Sequence, residues 1–224
     1  MAVTSSGLIA ATLTLHSVLF TLYLAAGLVV SLLIHELAHA VVAVRLKDPT
    51  PRQTGRLTLN PRAHADPFGT VILPAILLLP RLFGSALFPV FAYAKPQAVN
   101  LWAGRRRIVA VAAAGPLANL VAAVVFGAIF RLTPEGELSR LLGALVQVNV
   151  TMAVIHLIPL PPLDASRVLA TYLTGRAQEV YLGWDPLGAL FVLVIFFIFP
   201  GIIFAFVGVV GGGICQIVAG ATCI

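Results

Sequence analysis

Apolar residues run almost unbroken from Gly7 to Leu46. As one straight helix that tract would be about 60 Å long, twice the roughly 30 Å of a bilayer's hydrocarbon core. It must break or protrude: either two helices meet near Ala25-Ala26-Gly27, or one crossing helix over about 17–46 follows an interfacial segment. A polar loop over 47–68, rich in Pro, Arg and Thr, precedes apolar stretches at 69–80 and 84–94. After a second polar stretch at 95–107 come apolar segments at 108–130 and 141–158. The run Pro159-Leu160-Pro161-Pro162, a short amphipathic piece near 166–176 and a last span at 187–210 complete the pattern, with no internal repeat. The pattern predicts one membrane domain over 1–224, an all-α polytopic protein of five to six membrane segments.

Composition agrees with an integral membrane protein: 60% of residues are hydrophobic and 10% charged, and the mean hydropathy is +1.03. The net charge of +6 does not point to nucleic acid, because the basic residues sit in short loops between apolar segments. They act there as topology determinants. Of the 14 Lys and Arg residues, 11 fall in the loops 45–62, 95–107 and 159–185, against Arg131 and Arg140 in one loop and Arg81 alone. If the three positive loops are cytoplasmic, the chain between 69 and 94 must return to the side it left. Its 26 residues are too few for two crossings of about 20 each. A re-entrant or shallow hairpin turning near Pro80-Arg81 is therefore expected, a candidate wall or gate for a hydrated site. The N-terminus lacks the features of a cleaved signal peptide, so the first helix is expected to direct insertion. Cys215 and Cys223 match no zinc-ligand spacing and read as incidental apolar thiols or a local disulfide.

The chemistry is concentrated in His35-Glu36-Leu37-Ala38-His39. On a helix, positions i and i+4 share a face, so two imidazoles can bind one metal ion with Glu36 beside them to handle protons. From Leu15 to Leu46 the only other acidic or basic side chain, histidines aside, is Arg45. An ionisable group in such a span is a functional candidate by default. A catalytic zinc needs a third protein ligand. Asp164 stands out among the eight acidic residues, because it follows the proline-broken end of a membrane segment, on the side where the His35 helix ends. Its other reading is an N-cap for a helix starting near Ala165.

The chain resembles the site-2 protease family of intramembrane zinc metalloproteases, in its compact branch lacking a PDZ domain. The matching residues are His35-Glu36-Leu37-Ala38-His39, Asn60 to Thr70 (NPRAHADPFGT), Ala94-Lys95-Pro96, Ala114-Gly115-Pro116-Leu117-Ala118-Asn119 and Pro159-Leu160-Pro161-Pro162-Leu163-Asp164, in family order. The resemblance implies one Zn²⁺ per chain on His35, His39 and Asp164, with Glu36 as catalytic acid/base. It implies a membrane-spanning helix of another protein as substrate, cut within or near the bilayer, and a site nearer the cytoplasmic face of a prokaryotic plasma membrane. A helical substrate must unwind locally first, so helix-destabilising residues should favour cleavage.

Two positions depart from the family pattern. His156 stands where the family has Asn, and Ala165 where it has Gly. His156 can donate to substrate or an oxyanion, act as a fourth ligand, or be a hydrogen-bonded core histidine. Asn119 reads as a substrate or oxyanion group, or as a bond between helices; Asn149 as outer support to the site, or the same kind of bond. His64 sits in a matching motif with Asp66 and can support a metal-bound histidine or the loop itself. His16 reads as structural, and Gly211-Gly212-Gly213 as a flexible end to the last helix. A divalent metal transporter is the rival from another class, but it should show ligand pairs in repeated halves. An inactive helix-binding relative is a third reading, against which Glu36 argues because zinc binding alone does not require it.

Overall fold

The computed structural model describes residues 5–83, 89–95 and 104–221, with side chains from Leu15 onward. The described residues are helical apart from loops and one extended segment, and five helices are long and apolar enough to cross a membrane.

The first tract is one uninterrupted helix, α1 (Ser5–Arg45), passing straight through Ala25-Ala26-Gly27. The small residues there do not break it; they sit where α5 comes close, with Leu145 Cδ2 3.5 Å from the position a Gly27 Cβ would take. A short helix α2 (Thr50–Gln53) opens the polar loop. The next apolar stretch coils as a π-helical turn (Pro67–Ile72), α3 (Leu73–Leu78) and a 3-10 helix (Leu79–Phe83). The central pair α4 (Arg105–Leu132) and α5 (Glu137–Ile155) pack on α1 and on each other. Then follow α6 (Asp164–Ala170), α7 (Gly175–Leu182), α8 (Gly188–Ile198), α9 (Pro200–Phe206) and α10 (Gly212–Ala219).

Residues 89–95 run back, extended and almost wholly buried, beside the start of the 67–83 stretch. Tyr93 N–H donates to Gly69 O at 3.2 Å and Lys95 N–H to His64 O at 3.1 Å. The chain has thus doubled back between those points. A Cβ on Gly69 would collide with the Tyr93 ring and carbonyl, so the close approach needs glycine there. Buried extended backbone is tolerated only where its polar groups are satisfied. Here Thr70 Oγ1 donates to Tyr93 O at 3.0 Å, Arg56 to Lys95 O at 3.3 Å, and Ala92 N–H reaches Met152 Sδ at 3.4 Å. The turn is not at Pro80-Arg81, which the 3-10 helix carries through to Phe83; residues 84–88 lie outside the described residues.

The last apolar run departs from a single span at 187–210. Pro200 has no N–H for a helix to use, and Phe199 leaves helical geometry at φ −118°, ψ 47°. Apolar helical stretches therefore fall on either side, at 175–198 and 200–219. The glycine run does not loosen the end: a π-helical turn passes through Gly211 and α10 continues to Ala219, closed by left-handed Gly220. Glycine is less disruptive where no water competes for the backbone. Cys215 is buried in α10, and Cys223 lies outside the described residues.

Candidate metal centre

The C-terminal half of α1 brings His35, Glu36 and His39 to one place, all at most 5% exposed. Both imidazoles use Nδ1 on an oxygen behind them. His35 Nδ1 lies 2.6 Å from Asn119 Oδ1, and His39 Nδ1 lies 2.6 Å from Val111 O. The Asn119 amide is oriented by its neighbours, since Nδ2 donates to Ser31 Oγ at 2.8 Å and to Asn149 Oδ1 at 2.9 Å. Asn149 in turn donates its Nδ2 to Leu145 O at 2.8 Å. A directed chain of bonds thus makes Asn119 Oδ1 an acceptor and puts the His35 proton on Nδ1. The Val111 carbonyl, which can only accept, does the same for His39.

Both Nε2 lone pairs then face forward, onto Asp164. His35 Nε2 is 2.9 Å from Asp164 Oδ2, and His39 Nε2 is 3.2 Å from Oδ1. Neither Nε2 has a hydrogen-bond partner. Two lone pairs opposed to a carboxylate with no proton between them need a cation, so the donor set fits a metal of the zinc class. The geometry depends on α4 coming close: a Cβ on Gly115 would lie 2.6 Å from His35 Nε2 and would also strike His39. Asp164 is the first residue of α6, whose N-cap is Leu163, so it is not the N-cap that its position before Ala165 allowed; its carboxylate faces the histidines instead. Ala165 N–H donates to His156 O at 3.0 Å, closing the proline loop that carries the carboxylate back to α1.

The remaining residues take distinct places. Asn119 is fully buried behind His35, with its amide engaged by His35, Ser31 and Asn149. Its amide is thus turned towards that ring and the neighbouring helices, and it does not line the cavity beside the centre. Asn149 stands one bond further out. His156 lies edge-on to His35, with Nδ1 2.8 Å from Asp164 Oδ2 and Nε2 3.2 Å from Ala92 O. Its Nδ1 is near enough to share an ion with His35 and Asp164, yet both nitrogens are directed at oxygen acceptors. His64 touches neither metal-facing imidazole: Nε2 donates to Thr58 O at 3.0 Å, and Nδ1 lies 3.7 Å from Glu36 Oε2. The Glu36 carboxylate raises the His64 imidazole above its ordinary pKa, against its burial. Asp66 accepts from Phe68 N–H and Gly69 N–H and starts the helical turn of the hairpin. His16 is exposed and accepts from Arg140 at 3.1 Å, far along α1 from the centre.

Glu36, His39, His156, Asp164 and Arg167 wall a cavity with about 30 Å³ of water-accessible space. One water requires about 10–15 Å³ on that measure, so the cavity has room for a water among polar partners. Three site neighbours escaped the sequence reading. Ser31 lies one helical turn before His35 on the same face and was recoverable from that spacing. Arg167 had a weaker cue, three residues after Asp164. Arg56 gave no signal: it is one loop arginine among several, yet it is 8% exposed and its Nη1 lies 3.9 Å from Glu36 Oε2.

The chain is 32% identical over 187 residues to the Bacillus subtilis (strain 168) protein named "Putative zinc metalloprotease YwhC", a match covering 78% of this chain and 80% of that one. Two mycobacterial proteins named "Putative zinc metalloprotease Rip2" are similar: 32% identity over 178 residues for Mycobacterium tuberculosis (strain ATCC 25618 / H37Rv) and 31% over 174 for Mycolicibacterium smegmatis. Each match spans 76% of this chain, with 65% and 64% of the respective relative. No protein-family model matches the chain, and no solved structure matches it significantly. The length of the first match, the metal-fitting donors and the crossing helices agree, and the chain belongs to the site-2 protease family of zinc metalloproteases.

Proposed function

We propose that the protein is an intramembrane endopeptidase that hydrolyses a peptide bond in the transmembrane helices of other membrane proteins. The observation that carries this reading is the pair of forward-facing Nε2 atoms opposite Asp164, with Glu36 beside them, on a helix apolar enough to cross a bilayer. His35, His39 and Asp164 are the residues that would hold the zinc. When bound, zinc supplies Lewis acidity towards carbonyl and water oxygens. Glu36 takes the proton of the attacking water and returns it to the leaving amine. Asn119 and the Val111 carbonyl keep the two imidazoles in one tautomer and orientation. The buried walls exclude bulk water, while the small polar cavity admits the water that hydrolysis consumes. The distribution of Lys and Arg supports a site nearer the cytoplasmic side, and the bacterial relatives support a prokaryotic plasma membrane as its setting.

The test uses purified full-length protein in liposomes with single-span helices carrying Gly, Asn or Pro within the apolar segment. The wild type should cut a subset of these, and Glu36→Gln at matched zinc content should lose at least about a hundredfold in rate. Equal cleavage by both proteins would remove Glu36 from the chemistry.

A further inference from the structure

Burying Glu36 in an apolar helix is costly unless something faces its charge, and two buried side chains do so from the same direction. Arg56 Nη1 and the fully buried His64 Nδ1 both approach Oε2, at 3.9 and 3.7 Å. His64 is held in place at its other end by Thr58 O, and its Nδ1 has no hydrogen-bond partner among the described residues. The same two residues are tied to the returning extended segment: Arg56 donates to Lys95 O, and Lys95 donates its N–H to His64 O. That segment supplies Tyr93 and Ala94 to the wall of the catalytic cavity. Loop, segment and Glu36 are therefore one connected unit, reached without passing through His35, His39 or Asp164.

We propose that Arg56 and His64 are a positioning pair for Glu36: from the polar loop they face one carboxylate oxygen as charge partners and bias which way the carboxylate faces the cavity. The proposal rests on Glu36 being the general base. Proton transfer requires a base held within about 0.5 Å and 10–20° of its working geometry. A glutamate with three rotatable bonds on a helix surface does not hold that by itself. A purely structural role would have the pair anchor the loop and leave Glu36 indifferent to them.

A double-mutant cycle separates the two. The probe is benzohydroxamic acid, which chelates zinc and hydrogen-bonds the carboxylate at the base position, so its binding requires no turnover. Binding is measured by calorimetry on zinc-loaded full-length protein. Arg56→Met and His64→Leu should each weaken binding about tenfold when Glu36 is present and have no further effect in Glu36→Gln, with one zinc retained throughout. Arg56→Lys should recover part of the loss. An equal loss in both backgrounds, or no loss in either, overturns the proposal. Should Arg56→Met fail to fold, Arg56→Lys and His64→Leu complete the cycle. Because no substrate is cut, coupling can be found even if no membrane helix is ever cleaved, and can be absent even if one is.

Discussion

Two polar clusters lie on the same two helices, α1 and α5, and they behave differently. Near the C-terminal ends of both helices, His35, Glu36, His39 and His156 are buried, and each ring is aimed by a specific bond. Near the N-terminal ends, Tyr23, Glu137, Arg140 and His16 form a chain as well: Tyr23 donates to Glu137 at 2.8 Å, and Arg140 reaches both Glu137 and His16. Both clusters set histidine beside glutamate. The difference is that Arg140 and Glu137 stay about half exposed, so solvent can replace their partners, whereas the buried cluster depends on protein groups, a metal and the little water that its cavity has room for. Exposed ion pairs contribute about 0–1 kcal/mol, so the helix-end cluster adds little, whereas the buried one is costly unless each of its groups is satisfied.

The strongest way to break this contrast is at Gly115. Gly115→Val places carbon where the His35 and His39 rings stand, and zinc content measured by atomic absorption should fall to near zero while helical circular dichroism persists. Retained zinc would mean that α4 can move aside, and that the centre is less tightly packed than the structure has it. A smaller effect is expected from Asn119→Leu, which keeps the volume but leaves His35 Nδ1 without its acceptor. Zinc affinity by chelator competition should drop about 10–100-fold, and an unchanged affinity would remove Asn119 from the support of the centre. The smallest belongs to the other cluster. Arg140→Ala should shift unfolding by less than about 1 kcal/mol and leave zinc content unaltered. A large loss of zinc there would show the two ends of α5 to be coupled and undo the comparison.

Much of the site was readable in one dimension because helical spacing is local. His35 and His39 share a face by their i, i+4 separation, and Glu36 declares itself by being ionisable in an apolar span. The return of 69–94 to its starting level followed from loop charge and segment length. Pro80 and Arg81 themselves lie in a 3-10 helix that runs to Phe83, since that helix can accommodate Pro80 without reversing. The break at Phe199-Pro200 was visible as a proline within an apolar run, but hydropathy averages over it. Asn119 and His64 were picked out without their partners: a motif marks a residue without saying which atom it will meet.

By itself the sequence determined that the chain crosses membranes, that one helix carries the His35-Glu36-x-x-His39 pattern, and that a proline-broken loop carries Asp164 as a candidate ligand. These follow from hydrophobicity, helical period and the missing N–H of proline, all properties of neighbouring residues. Only the tertiary structure decided that Asn119 orients His35, that His64 and Arg56 converge on Glu36, and that His156 bridges Asp164 to the returning segment. Those pairings join residues from 20 to 84 positions apart, apart from His156 with Asp164. At such separations, helix packing and the satisfaction of buried polar groups choose the partner, and no local pattern encodes that choice.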